Sequence, residues 1–142
     1  MKLQIMKLHH DAIMPKYQTA GSVAFDVHAI ENKSLMPGEV YLMGTGLVVE
    51  VPDGFELTVR PRSGMSIKFP NYIANGIGTI DCDYRGEIKI ILVNNASGYM
   101  NIKKGDRIAQ CVLSPITQAE IQEIFFLSET TRGTDGFGST GT

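Results

Sequence analysis

The sequence predicts an all-β protein, a sandwich or jelly roll. Three observations predict it. The dominant hydrophobic period is two: Phe55, Leu57 and Val59 alternate with Glu56, Thr58 and Arg60, and Ile88, Ile90 and Leu92 mark another such face. Turn chemistry recurs between the apolar runs, at Pro37-Gly38, Pro52-Asp53-Gly54, Tyr84-Arg85-Gly86 and Lys104-Gly105-Asp106. Only Ser63 to Lys68 and Gln118 to Glu123 offer helical possibilities, and the second alternates too regularly for a helix. Many short strands separated by turns build sandwiches and jelly rolls.

In chain order, Ala24-Phe25-Asp26-Val27 is a strand with one carboxylate among apolar neighbours. An inward carboxylate there needs a cation or other partner. Leu47 to Val51 is a short β-branched run, and the Phe55 strand follows. Ser63 then stands where it can cap a helix of a turn or two. Asn75 to Asp81 and Tyr84-Arg85-Gly86 read as a hairpin entering a strand from Glu87 to Val93. Gly105-Asp106 turns into the strand Ile108 to Leu113, with Asp106 and Arg107 expected to pair. Ile121, Ile124, Phe125 and Phe126 suggest a late strand.

The chain has 142 residues, 43% hydrophobic and 20% charged, which suits one core. The net charge of −2 leaves no footprint for broad polyanion or membrane binding, so neither nucleic acid nor membrane is expected as a partner. No apolar run approaches the roughly 20 residues of a membrane-spanning helix. Met1-Lys2-Leu3-Gln4-Ile5 is too mixed for a signal peptide. Cys82 and Cys111 are expected as free thiols in a reducing, cytoplasmic setting. His9, His10 and His28 lack metal-like spacing with the cysteines and read as surface or packing residues.

Two units are expected: residues 1–127 as the β domain and residues 128–142 as a Gly-rich arm. The arm carries Gly133, Gly136, Gly138 and Gly141 and one large apolar group, Phe137. It cannot bury enough surface to offset its ordering entropy. Arg132, Phe137 and the Gly138-Ser139-Thr140-Gly141 run nevertheless suit a segment that orders on a nucleotide: arginine for phosphate, a ring for a base, open amides for an anion.

Three further candidates carry chemistry. Arg62-Ser63-Gly64, between strand and helix, offers a guanidinium fork and open amides; it serves equally as a phosphate site or an exposed turn. Asp81, after Gly78-Thr79-Ile80, is ordinary as a turn aspartate but can act as a general base for water near a phosphate. Asp83 reads as a turn residue. Gln110 has an amide able to donate to a phosphate.

Taken in order, these segments resemble the trimeric dUTP pyrophosphatase (dUTPase) family. The resemblance runs from Ala24-Phe25-Asp26-Val27 through Pro61 to Lys68, Asn75 to Gly86 and Lys104 to Gln110, and closes at Arg132 to Gly141. It implies a distorted β jelly roll, a homotrimer with shared sites, and Mg²⁺-dependent hydrolysis of dUTP to dUMP and pyrophosphate. It implies that Asp81 orients the attacking water and that Tyr84 packs on the deoxyribose and excludes a 2′-hydroxyl. Asn75, Gly78, Thr79, Ile80 and Lys89 would read uracil. Arg62, Ser63, Gly64 and Gln110 would bind phosphates. The arm would close a neighbouring subunit's site, Phe137 on the base and Arg132, Gly138, Ser139 and Thr140 on the phosphates. The metal would have no direct protein ligand, with Asp26 acting through a water. Asp135 departs from the family's tail glycine and places a negative charge near the expected triphosphate. The competing readings are a dCTP deaminase of the same fold, against which the Phe-Gly-Ser-Thr-Gly tail argues, and a trimeric regulatory module that kept the fold.

Overall fold

The structure, a computed structural model, describes residues 1–136. Its elements are β1 (Gln4–Lys7), β2 (Phe25–His28), β3 (Lys33–Leu35), β4 (Val40–Glu50), β5 (Phe55–Arg60), α1 (Ser63–Lys68), β6 (Gly78–Ile80), β7 (Glu87–Val93), β8 (Met100–Ile102) and β9 (Arg107–Pro115). The strands form an all-β jelly roll of three sheets, ordered β1-β4-β7, β2-β9-β5-β6 and β3-β8, with every strand pair antiparallel. The period-two runs became strands because each has one face to bury. Ile88, Ile90 and Leu92 of β7 face inward against Leu57 and Val59 of β5, Ile108 of β9 and Met43, Leu47 and Val49 of β4, all in one core. Each fully buried Leu or Ile contributes roughly 1.5–3 kcal/mol.

Four expectations are corrected. The segment from Asn75 to Val93 is not a hairpin: β6 pairs with β5 and β7 with β4, so residues 81–86 cross between sheets. Ser63 does not cap α1; the cap position falls to Arg62 and no side chain caps the helix. No strand forms over Ile121 to Phe126, where Phe125 and Phe126 are 90% and 91% exposed. Asp106 does not pair with Arg107; its Oδ2 accepts the Lys103 amide at 2.8 Å. Asp106 lies in the turn before β9 and its carboxylate closes that turn, while Arg107 opens the strand beside β2.

A bulge in β4 shapes the edge of the site. Gly44 aligns with Lys89 but Val48 with Glu87, so β4 gains two residues on β7. Thr45 Oγ1 donates to the Ile88 carbonyl at 2.7 Å, and the Gly46 amide donates to Glu87 Oε1 at 2.7 Å. Gly46 has φ +68°, and a Cβ there would collide with Ile30 Cδ1 and approach Ala12 Cβ to 2.9 Å.

Candidate active site

The crossing between sheets opens a cleft of about 300 Å³. It brings together Asn75, Gly78, Thr79, Ile80, Asp81, Tyr84 and Lys89, seven residues expected from the sequence. Its walls are apolar, with Val59, Ile73, Ile80, Ile88 and Ile90. β6 and β7 are each the last strand of their sheet. An edge strand carries backbone N–H and C=O groups without a ladder partner, so β6 can offer donors and acceptors to a flat polar ligand. β7 is partly covered on this side by an Ile73–Leu92 bridge and by the Ala74 amide, which donates to the Ile91 carbonyl at 2.9 Å.

Asp81 leaves β6 exposed, and among the described residues no cation pairs with its carboxylate. Its carbonyl accepts the Tyr84 amide at 3.2 Å, which closes the turn. Tyr84 Oη then donates to the Glu87 carbonyl at 3.1 Å, holding the ring at the mouth of the cleft. Lys89 Nζ lies 3.6 Å from Glu87 Oε2.

A second cleft, of about 260 Å³, gathers Asp26, Arg62, Ser63, Gly64 and Gln110 with Gln18, Ser22 and Arg107. Asp26 is only 8% exposed. Its carboxylate has the partners burial demands: Arg62 Nε at 2.7 Å and Arg107 Nη1 at 3.2 Å. Two guanidiniums against one carboxylate leave the cleft one net positive charge. Arg62 Nη1 also donates to the Arg107 carbonyl at 3.2 Å. The Arg62 backbone is pinned as well: its amide donates to the buried Tyr72 hydroxyl at 2.7 Å. Burial raises the Tyr72 pKa and keeps the phenol neutral. Gln110 Nε2 donates to the Pro61 carbonyl at 2.8 Å, bracing the same corner. The uncapped start of α1 leaves the Ser63 and Gly64 amides to the cleft.

His28 lies two residues beyond Asp26 on β2. Its Nδ1 is buried without a partner, and burial lowers its pKa, the Asp26 charge opposing. Both cysteines are free thiols; burial pushes the Cys111 thiol up to about 12, so it stays protonated. His9 and His10 are surface residues as expected, yet with Asp11 they gather possible ligand atoms within 4.8 Å of one another. The Asp11 carboxylate there is already paired with Lys104. Among the described residues neither cleft contains such a cluster.

Among the described residues none lines both clefts. Arg132 lines neither; its Nε donates to the Asp135 carbonyl at 2.9 Å within a local turn. Phe137, Gly138, Ser139 and Thr140 lie outside the described residues. Sequence reading missed Tyr72, Arg107 and Glu87. A signal existed for Arg107, since an aspartate after Gly105 suits a turn that its own side chain closes, which leaves the arginine free. For Tyr72 there was none, because it sits in a loop without periodicity.

An apolar slot beside the free β6 edge and a separate cationic corner suit a ligand that carries a polar ring and an anionic group. The dUTPase family profile matches residues 10–141. The chain is 51% identical over 141 residues to the deoxyuridine 5'-triphosphate nucleotidohydrolase of Nautilia profundicola, covering 99% of each chain. It is 47% identical over 142 residues to that of a Picosynechococcus species, covering 100% of each. The Staphylococcus bacteriophage 80alpha dUTPase with dUPNHPP superposes with a TM-score of 0.90 at 29% identity, over 99% of each chain. The dUTPase of phage phi11 of S. aureus, described for coordination of a structural Mg(II) ion, matches 90% of this chain and 99% of its own, with a TM-score of 0.83 at 26% identity. The chain belongs to the dUTPase family.

Proposed function

We propose that this protein hydrolyses dUTP to dUMP and pyrophosphate, a dUTP diphosphatase activity that supplies dUMP and keeps uracil out of DNA. The observation that carries the reading is an exposed Asp81, without a cation partner among the described residues, at the mouth of an apolar slot bounded by a free strand edge. Phosphate-anhydride hydrolysis needs charge neutralisation and an in-line water more than a covalent nucleophile. Asp81 orients that water and accepts its proton. Asn75, Gly78, Thr79, Ile80 and Lys89 receive the base, and Tyr84 takes the deoxyribose. Backbone recognition rejects a wrong base by leaving its polar groups unpaired, and a tight slot rejects a thymine methyl.

Arg62, Ser63, Gly64 and Gln110 bind phosphates. The separation of the two clefts on one protomer supports a homotrimer in which base and phosphates are held by different subunits. The exposed Ile121, Phe125, Phe126 and Leu127 support it too, since such a run calls for a partner surface. Arg132, Phe137, Gly138, Ser139 and Thr140 then close a neighbour's site, excluding bulk water during turnover.

The residues present fit Mg²⁺ held by substrate. Both Asp26 oxygens are committed to arginines yet keep lone pairs for a water, and no carboxylate cluster lines either cleft among the described residues. When bound, the ion supplies positive charge to the triphosphate.

The test is pyrophosphate release from dUTP, UTP, dTTP and dCTP, with and without Mg²⁺. dUTP alone should be turned over efficiently. Asp81→Ala should abolish release while dUTP still binds; full residual turnover would remove Asp81 from its role. Ammonia release from dCTP would favour the deaminase reading instead.

A further inference from the structure

Gly86 has a relation to Tyr84 that neither the strands nor the turn requires. Its φ lies outside the left-handed region, so the backbone there accepts any L-residue. A Cβ on Gly86 would nevertheless meet three atoms of one side chain: it would overlap Tyr84 Oη and Cζ and lie 2.9 Å from Cε2. The phenol therefore lies folded over the glycine, with Oη donating to the carbonyl of the next residue, Glu87, at 3.1 Å. That carbonyl is a firm anchor, because the Glu87 side chain is itself tied to the Gly46 amide in the β4 bulge. Tyr84 is 46% exposed and also lines the cleft, so one side of it is open to solvent and the other faces the cleft.

We propose that Gly86 is a positioning residue that sets sugar discrimination: its missing side chain lets the Tyr84 ring lie down at the cleft mouth, where the ring excludes a 2′-hydroxyl. The inference rests on the dUTP reading above. A methyl group at position 86 forces the ring to rotate about its side-chain torsions. The outer side of the ring is open to solvent, so the ring swings outward, the bond to Glu87 breaks, and space opens beside the sugar. The displaced atoms are the far end of a rotatable side chain, and no backbone lies among the three nearest atoms. The substitution thus spares the fold and moves one ring.

The experiment is Gly86→Ala in the full chain, with kcat/KM measured for dUTP, UTP and dCTP beside a thermal midpoint. The dUTP-to-UTP ratio should fall about tenfold or more, while the dUTP-to-dCTP ratio stays within about twofold. The midpoint should stay near that of the parent protein. An unchanged dUTP-to-UTP ratio, a parallel loss for all three nucleotides, or a failure to fold would each overturn the proposal. In a Tyr84→Ala background, adding Gly86→Ala should leave the ratio where Tyr84→Ala put it; a further drop would show that Gly86 acts by another route. Parent protein without a preference for dUTP would instead overturn the reading on which the inference rests.

Discussion

At the residue scale, the cationic corner is held by pairing around one buried carboxylate. Asp26 would be costly on an inward strand face, and Arg62 and Arg107 remove that cost while their own charges remain in excess. His28 is the titratable neighbour. Burial lowers its pKa from the ordinary 6.5, with Asp26 opposing and Arg107 and Arg62 adding to the lowering. The folded state therefore resists a proton that the unfolded chain accepts. Stability is full above the ordinary histidine value and falls as pH drops from 6.5 toward the folded value. Thermal midpoints between about pH 7.5 and about pH 5.5 should fall less for His28→Gln than for the parent protein. Equal falls would show that other groups carry the acid sensitivity.

At the element scale, the bulge in β4 and the crossing from β6 to β7 position the slot. Gly46 is needed twice, for its positive φ and for its close approach to Ile30 and Ala12. Gly46→Ala should cost about 2–4 kcal/mol in denaturant unfolding. Gly54, with φ +78° and nothing within 4 Å of its absent Cβ, provides the control. Gly54→Ala should cost only the conformational part, about 1 kcal/mol. Similar losses at both sites would mean that packing around the bulge is looser than its geometry implies. The crossing also shows where local reading stops. Asn75 to Gly86 has hairpin chemistry by its glycines and turn residues, yet its two strands pair with different partners. Strand partners are chosen by which faces the whole core can bury, and turn residues do not encode that choice.

At the scale of the whole molecule, the last strand among the described residues ends at Pro115, and the apolar side chains of Ile121, Phe125, Phe126 and Leu127 lie exposed beyond it. Phe125→Ser with Phe126→Ser should leave each protomer folded while lowering the oligomer's mass in light scattering and its turnover of dUTP. Unchanged mass and rate would separate this segment from assembly. Deleting residues 131–142 should leave assembly intact and turnover severely reduced; an unaffected rate would remove the arm from the site.

The sequence by itself determined the all-β class, because period-two burial is written residue by residue. It also named residues that share one cleft: Asn75, Gly78, Thr79, Ile80, Asp81, Tyr84 and Lys89 lie within a short stretch and meet there. Only the tertiary structure decided which partner each charge takes. Arg107 abandons adjacent Asp106 for Asp26, Tyr72 reaches from a loop to hold the Arg62 amide, and Glu87 fastens the β4 bulge. These contacts join residues far apart in the chain, and their reason is physical: a polar group taken from water must find a partner in space, wherever the packing of the sheets has left one.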